Sequence, residues 1–174
     1  NARAAAAEVK VSFAQLGAGS MELHGVQSIG AVNFGARLDE VVAAAKLPLR
    51  LTYSPSMLAE LSHLRVTLNG QVLAAIALPK DQSGREIERE VVLDPRYFSD
   101  YNQLRFDLIG HYTLECEDPQ HSSLWATISQ HSELELVMRP LELRSDLALL
   151  PAPFFDRRDN RRLVLPFVLP QKPS

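Results

Sequence analysis

Strict alternation of apolar and polar residues, in many short runs, constrains this chain most. In residues 47–53, LPLRLTY, every second residue is a leucine or the tyrosine, and residues 64–68, LRVTL, repeat the pattern. Because successive side chains of a strand point to opposite faces, such runs predict half-buried strands. Further runs of this kind lie at residues 8–13, 21–23, 31–36, 87–93, 104–108, 124–128 and 134–138.

The pair Asn69-Gly70 lies between two apolar runs, LRVTL and VLAAIAL. Both residue types accept a positive φ, so this pair is the strongest short signal for a β-hairpin. Other turn signals, such as Asp94-Pro95, separate the remaining runs. Nine or ten short strands joined by turns predict an all-β sandwich.

Helical signals are sparse. Residues 38–45, LDEVVAAA, are apolar enough for a helix, but they equally suit a strand that leads into Leu47. Residues 55–62, PSMLAELS, suit one or two helical turns, with Pro55 near the first helical position.

Composition excludes several classes of protein. The chain has 174 residues, of which 46% are hydrophobic and 22% charged, as in globular proteins rather than disordered ones. A net charge of −3 argues against a generic nucleic-acid binder. No apolar run reaches the roughly 18 residues of a membrane span. The single cysteine, Cys116, excludes a disulfide within this stretch, and we expect it to be a small buried apolar residue.

The composition changes near residue 145. Five of the eleven prolines and a cluster of four arginines lie in the last 24 residues. They surround one apolar run, 163–169, that Pro166 restricts to an edge strand or a loop. We therefore expect three parts: a linker at 1–7 cut from a longer chain, a β-sandwich domain at 8–145, and a linker with the start of a second domain at 146–174.

Motifs for catalysis or metal binding are weak. The chain has neither a Gly-x-Ser-x-Gly nucleophile motif nor a glycine-rich phosphate loop. His111, Cys116 and His121 are evenly spaced in HYTLECEDPQH, but the short Cys or His pairs of a zinc site are missing. We expect a polar loop there, and no metal site.

Three glutamates, Glu86, Glu88 and Glu90, share one face of the run at 87–93. A glycosidase needs two carboxylates in a cleft, one of them with a raised pKa. With arginines alongside, these glutamates favour a solvent-exposed face instead. We expect no catalytic residues and no hydrolase.

Aromatic residues offer the best basis for ligand binding, because sugars stack on exposed, rigid rings. Our candidates for such contacts are Trp125, Tyr112 and Tyr53. Trp125 lies opposite Leu124 and Ala126 in its strand, and it either fills the core or forms a platform for a ligand. Tyr97 and Tyr101 surround a turn, and we expect them to fix that turn.

Arg157 and Arg161 form an Arg-x-x-x-Arg pair in the proline-rich tail. That pair is half of the signature with which PilZ domains bind cyclic di-GMP, and guanidinium groups suit phosphates and guanine edges. The other half, Asp/Asn-x-Ser-x-x-Gly, is missing. A solvated surface is therefore expected, with a nucleotide site as the weaker alternative.

Several segments, in order, resemble one known family. They are VSFAQLGAGSMELHGVQSIGAVNFGARLDEVV, LRVTLNGQVLAAIALP, LDPRYFSDYNQLRFDLIGHYTLECEDPQHSSLWATIS and LPAPFFDRRDNRR. Together they resemble the periplasmic B subunit of bacterial cellulose synthase, a family also named cyclic di-GMP-binding protein. The resemblance covers about residues 9–169 and matches the N-terminal part of a longer protein.

The resemblance implies a fold and a place of action. In the family, jelly-roll domains that resemble carbohydrate-binding modules alternate with flavodoxin-like α/β domains. Residues up to about 145 would be the first jelly roll, and Leu150 onward would begin the α/β domain. The family's subunit lies in the periplasm, anchored to the inner membrane by a C-terminal helix absent here, and partners the catalytic A subunit.

The resemblance also implies a function. We expect a non-catalytic accessory subunit that guides the nascent β-1,4-glucan, or organises the synthase complex, or both. One alternative is a pure protein-interaction module that packs against other subunits or further copies of itself. The other is a regulatory subunit that binds cyclic di-GMP, which the family's name alone suggests. No cofactor is expected otherwise.

Overall fold

The computed structural model describes residues 6–36 and 39–141, and these residues form ten β-strands in two sheets. Two short 3₁₀ turns, Lys80–Gln82 and Pro95–Tyr97, interrupt the connections between strands. The strands are β1 Ala7–Ser12, β2 Met21–His24, β3 Gln27–Gly35, β4 Glu40–Tyr53, β5 His63–Leu68, β6 Gln71–Ala77, β7 Ile87–Leu93, β8 Tyr101–Ile109, β9 Trp125–Ile128 and β10 Glu133–Pro140.

The first sheet is built around the long strand β4. The two strands β10 and β9 follow one another along one edge of β4, and β7 pairs with the other edge. Outside them, β1 pairs with β10 and β2 pairs with β9. The second sheet has the order β3-β8-β5-β6. All these pairings are antiparallel, and the all-β jelly-roll sandwich expected from the sequence is confirmed.

The core lies between the two sheets and follows the alternation of the sequence. The three leucines Leu47, Leu49 and Leu51 of β4 are fully buried. Across the sandwich, the rings of Phe13 and Phe106 have centroids 5.8 Å apart. Removing this apolar surface from water is the main source of stability for such a domain.

The Asn69-Gly70 hairpin between β5 and β6 is confirmed. The two residues have φ angles of 48° and 85°, both in the left-handed region that a tight two-residue hairpin requires. The Asn69 side chain donates to the carbonyl of Tyr97 at 2.7 Å and accepts from the N–H of Gln103 at 2.9 Å. The hairpin is thereby tied to the neighbouring strand β8.

The two segments with helical signals are not helices. Residues 40–45 belong to β4, so the strand alternative holds for them. The prediction of one or two helical turns at 55–62 was wrong. The structure has isolated hydrogen-bonded turns there and no helix: the N–H of Leu61 donates to the carbonyl of Leu58 at 3.1 Å. Tertiary contacts prevail over local propensity. Met57 is buried, and the N–H of Leu58 donates to the carbonyl of His111 at 2.7 Å.

Within residues 6–36 and 39–141, no helix has the length and apolar character needed to cross a membrane. The proposed start of a second domain at 146–174 lies outside the described residues.

Candidate functional site

Trp125 is the first residue of β9, and its side chain lies on the outer face of the first sheet. Its neighbours Leu124 and Ala126 are fully buried, whereas Trp125 itself is half-buried. The alternative in which Trp125 fills the core is therefore wrong, because the pleat turns its side chain to the other face. Its carbonyl accepts the N–H of Ser54 at 3.1 Å, so the backbone beneath the ring is fixed.

His24 is the cross-strand partner of Trp125. Strand β2 pairs with β9 so that these two residues lie opposite one another, on the same face of the sheet. The side chain of His24 is 64% exposed, and Nε2 lies 3.7 Å from a carboxylate oxygen of Glu22. An aromatic ring with hydrogen-bonding side chains beside it is thus present on this face.

Residues 110–124, here called the β8–β9 loop, lead directly into Trp125. The loop is attached to the turn that follows β2: Val26 donates its N–H to the carbonyl of Pro119 at 3.0 Å, and Gly110 donates to the carbonyl of Val26 at 3.0 Å. At Gly25, with φ +92°, a Cβ atom would lie 2.8 Å from the same Pro119 carbonyl oxygen. Glycine is required for this close approach.

Tyr112 supports the loop from inside. Its ring stacks on the His121 imidazole, with centroids 4.2 Å apart, and its hydroxyl accepts the N–H of Asp118 at 3.0 Å. The side chain is half-buried and packs against the core. With one ring face and the hydroxyl occupied, Tyr112 holds the loop in place more than it presents a free platform.

A second contact within the loop joins His111 and Glu117. The imidazole Nδ1 of His111 lies 2.7 Å from Oε2 of Glu117, whose Oε1 accepts the N–H of Tyr112 at 2.8 Å. Burial acts to raise the pKa of Glu117, but these hydrogen bonds and the His111 charge outweigh burial and lower the pKa below its ordinary value. The ionised carboxylate is the form that this loop stabilises.

The tip of the loop is exposed. Leu114 has 82% of its surface in contact with solvent. Cys116 is also exposed, which overturns the expectation of a buried thiol. Its φ of 43° shows the reason: the cysteine occupies a left-handed position in a bend of the exposed loop, not a place in a strand.

Tyr53 is not available to a ligand, and its place among the sugar-contact candidates was wrong. Tyr53 is the last residue of β4, its side chain points into the core like those of Leu49 and Leu51, and it is 1% exposed. Its hydroxyl donates to the carbonyl of Pro79 at 2.6 Å, and burial raises the pKa of the phenol. Tyr53 is a core residue with a satisfied polar end.

The evenly spaced His111, Cys116 and His121 lie in a loop, as expected, and are engaged separately. His111 contacts Glu117, His121 stacks on Tyr112, and Cys116 points to solvent. Within the described residues, no group of three or more His, Cys, Asp or Glu side chains is placed to hold a metal ion.

The glutamates of β7 form part of a charged surface, as predicted. Glu88 lies 3.4 Å from Arg50 of β4, and Glu90 lies 3.4 Å from Lys46. Lys46 also contacts Glu135, at 3.2 Å, and these hydrogen bonds and charges raise the pKa of Lys46. Arg157 and Arg161, the candidates for nucleotide binding, lie outside the described residues.

The sequence did not reveal His24 or Leu114 as residues of this region. The pairing of β2 with β9 joins segments about a hundred residues apart, and no local pattern predicts it. The exposure of Leu114 could have been predicted from the sequence. Leu114 is flanked by polar residues in the predicted loop HYTLECEDPQH, where no strand could bury it.

Two family models match most of the chain. The family model "Cellulose synthase BcsB, first CBM domain" matches residues 6–140. The model "Cellulose synthase BcsB, first FD domain" matches residues 146–174.

Curated relatives carry the name "Cyclic di-GMP-binding protein". The protein from Xanthomonas axonopodis pv. citri is 52% identical over 152 residues, which are 87% of this chain and 19% of that protein. The protein from Pseudomonas fluorescens is 48% identical over 155 residues, 89% of this chain and 20% of that protein. The chain thus spans about a fifth of the length of these relatives.

Among solved structures, the chain is similar to the CBM36-1 domain of a multidomain xylanase from the hindgut metagenome of Trinervitermes trinervoides. The TM-score is 0.40 at 11% identity, over 75% of this chain and 96% of that one.

Proposed function

Because the chain belongs to the cellulose synthase BcsB family, we propose that its β-sandwich is a non-catalytic module of a synthase accessory subunit that contacts the nascent β-1,4-glucan. The contact surface is the outer face of the first sheet around Trp125. The accessory role follows from the family, and the glucan contact rests on the geometry of this face.

The position of Trp125 carries the proposal. A half-buried indole on a fixed strand presents an apolar face to solvent, and a ring that is already partly packed loses little side-chain freedom on binding. The axial C–H groups of a glucose ring form a matching apolar face. Stacking of the two removes apolar surface from water on both sides.

The surroundings of Trp125 supply hydrogen bonds to sugar hydroxyls. His24 and Glu22 of β2 lie on the same face, with side chains 64% and 73% exposed. Pockets that bind small polar ligands combine apolar walls with a few fixed polar groups of this kind. The β8–β9 loop, supported by the stacking of Tyr112 on His121, leads directly into Trp125.

A single aromatic platform gives weak binding, and a guiding role requires weak binding. A polymer that moves past the domain must leave each contact as easily as it enters it. One stacked ring contributes on the order of 1–3 kcal/mol by analogy with base stacking, so a dissociation constant of several millimolar or weaker is expected. The sheet would thereby direct the chain without holding it.

We infer the wider setting from the family alone. The module would act in the periplasm, as part of a subunit anchored to the inner membrane and bound to the catalytic A subunit. Residues 8–145 would form the module, and 146–174 would begin the flavodoxin-like domain. Organisation of the synthase complex, including contacts between copies, is the alternative role.

An NMR titration tests the glucan contact. The isotopically labelled chain is titrated with cellohexaose, and backbone and Trp125 indole shifts are followed. We expect changes confined to Trp125, β2 and the adjoining loop. Trp125→Ala should abolish these changes, while Tyr97→Ala, which removes an exposed ring elsewhere, should leave them intact.

The same titration separates the alternatives. Absence of shifts with cellohexaose would reject the glucan contact and favour the assembly role. A parallel sample with cyclic di-GMP tests the regulatory alternative, and Arg157→Ala with Arg161→Ala would remove any binding due to that pair. Shifts with the nucleotide alone would reject the glucan contact.

A further inference from the structure

The outer face of the second sheet contains a buried carboxylate. In β8 the side chains of Leu104, Phe106 and Leu108 point into the core, so Asp107 points outward. Asp107 is nevertheless only 1% exposed. An outward carboxylate that is this well covered must be enclosed by its neighbours on the same face.

Two arginines enclose it. Arg105, two residues earlier on β8, places Nη2 2.7 Å from Oδ1 and Nε 3.2 Å from Oδ2 of Asp107. Arg65, directly opposite on β5, places Nε 3.7 Å from Oδ2. One buried carboxylate thus fixes two guanidinium groups side by side on the sheet.

This arrangement leaves one positive charge unbalanced and keeps the arginines partly accessible. The side chains of Arg65 and Arg105 are 38% and 41% exposed. Each planar guanidinium has five N–H donors, more than one shared carboxylate can occupy. Donors held in fixed positions on an ordered strand suit bidentate binding of a further oxyanion.

Apolar side chains flank the arginine pair. Ile29 on β3 and Val72 on β6 are 52% and 60% exposed, one on each side of the pair. Across the described strands β3, β5, β6 and β8, Asp107 is the only acidic residue. Outside these four strands, the described part of the chain holds sixteen acidic against eight basic residues, so this face differs in charge from the domain around it.

We propose that this face docks an extended acidic segment of a partner polypeptide. Carboxylates of that segment bind Arg65 and Arg105, and its small aliphatic side chains lie on Ile29 and Val72. A neutral glucan offers no charge to the two guanidinium groups. The interaction is independent of the Trp125 surface, which lies on the other sheet.

Titration with a defined peptide tests the proposal. The labelled chain is titrated with the acetylated and amidated peptide EVEAE, and with QVQAQ as the uncharged control. We expect the Nε–Hε signals of Arg65 and Arg105 and the methyl signals of Ile29 to shift with EVEAE only. Binding should weaken as salt is raised from 50 to 500 mM, since both guanidinium groups are partly exposed to screening.

Variants assign the binding to the arginines. Removal of the arginines alone would leave Asp107 buried and unpaired, which destabilises a fold strongly. The triple variant Arg65→Gln, Arg105→Gln and Asp107→Asn avoids this, and it should bind EVEAE at least about tenfold more weakly. Arg105→Lys keeps the charge but loses the bidentate geometry, and it should show an intermediate loss. Arg85→Gln, at an exposed arginine outside this face, should bind normally.

Several results would overturn the proposal. One is the absence of shifts with EVEAE, and another is equal binding of QVQAQ. Equal binding of inorganic phosphate or cyclic di-GMP would identify a site for a small oxyanion instead. Shifts at this face that depend on the concentration of the chain alone would identify a second copy as the occupant.

Discussion

The ring of Tyr112 stacks on the imidazole of His121, with the two planes inclined by 23°. The same tyrosine accepts the N–H of Asp118 at its hydroxyl and donates its own N–H to the carboxylate of Glu117. One residue near the start of the β8–β9 loop therefore fixes three positions farther along it. The β8–β9 loop, which leads directly into Trp125, depends on this internal support.

Loss of the stack should loosen the loop without unfolding the domain. We expect His121→Ala to lower the free energy of unfolding by about 0.5–1.5 kcal/mol, the usual worth of an aromatic pair. Amide hydrogen exchange should accelerate in residues 112–121 and stay unchanged in β4. His131→Ala, at an exposed histidine outside the loop, serves as the control. Unchanged exchange in His121→Ala would show that the stack does not order the loop.

Acid should release the contact between His111 and Glu117. The pKa of Glu117 is lower in the folded chain than its ordinary value of 4.5, so the unfolded chain binds this proton more readily. The stabilisation is therefore complete above about pH 4.5 and is lost as pH falls through the lowered pKa. The carboxyl ¹³C signal of Glu117 and the amide signal of Tyr112 should titrate together in that range.

Glu117→Gln isolates this effect. The variant should lose the acid-dependent change at the Tyr112 amide, while Glu60→Gln, at an exposed glutamate, should retain it. Titration of the Glu117 carboxyl at or above its ordinary pKa would contradict the prediction, because the hydrogen bonds from His111 and Tyr112 would then not favour the ionised form.

The fold was largely predictable because strand alternation and turn chemistry are local. The run of leucines in β4 fixed which side chains enter the core, and Asn69-Gly70 fixed one hairpin with its register. The prediction for residues 55–62 failed because the conformation there depends on the burial of Met57 and on a hydrogen bond to His111, both of which require the rest of the fold. Local helix propensity carries no information about such contacts.

The candidate site was predictable only in part. Trp125 was identified, but the sequence could not decide on which side of the sheet it lies relative to the core. A tyrosine can serve as an exposed stacking platform, but Tyr53 follows the buried leucines of β4 at every second residue and points into the core with them. This alternation was visible in the sequence and argued against ligand contact. The pairing of Trp125 with His24 required the sheet order.

The side chain of Asn69 should contribute measurably to stability. Its Nδ2 donates to the carbonyl of Tyr97 and to Oδ1 of Asn102, and its Oδ1 accepts the N–H of Gln103. We expect Asn69→Gly, which accepts the same backbone angle, to cost about 1–3 kcal/mol through the lost hydrogen bonds alone. Gln71→Ala in the same hairpin is the control, and urea unfolding is the measurement. A cost equal to that of Gln71→Ala would show that these bonds contribute nothing.

The stabilities of the Tyr53→Ala and Trp125→Ala variants should differ clearly, because the two rings lie on opposite faces of adjacent strands. Tyr53→Ala opens a cavity in the core and leaves the Pro79 carbonyl without its donor, so we expect a loss of about 3–5 kcal/mol. Tyr53→Phe keeps the volume and should cost about 1 kcal/mol.

Trp125→Ala removes a half-buried ring from the outer face and should cost at most about 1–2 kcal/mol. Urea unfolding of the three variants gives these values directly. If Trp125→Ala destabilised the domain as strongly as Tyr53→Ala, Trp125 would act as a core residue. The loss of cellohexaose binding in that variant would then report unfolding, and the glucan-contact surface would lose its basis.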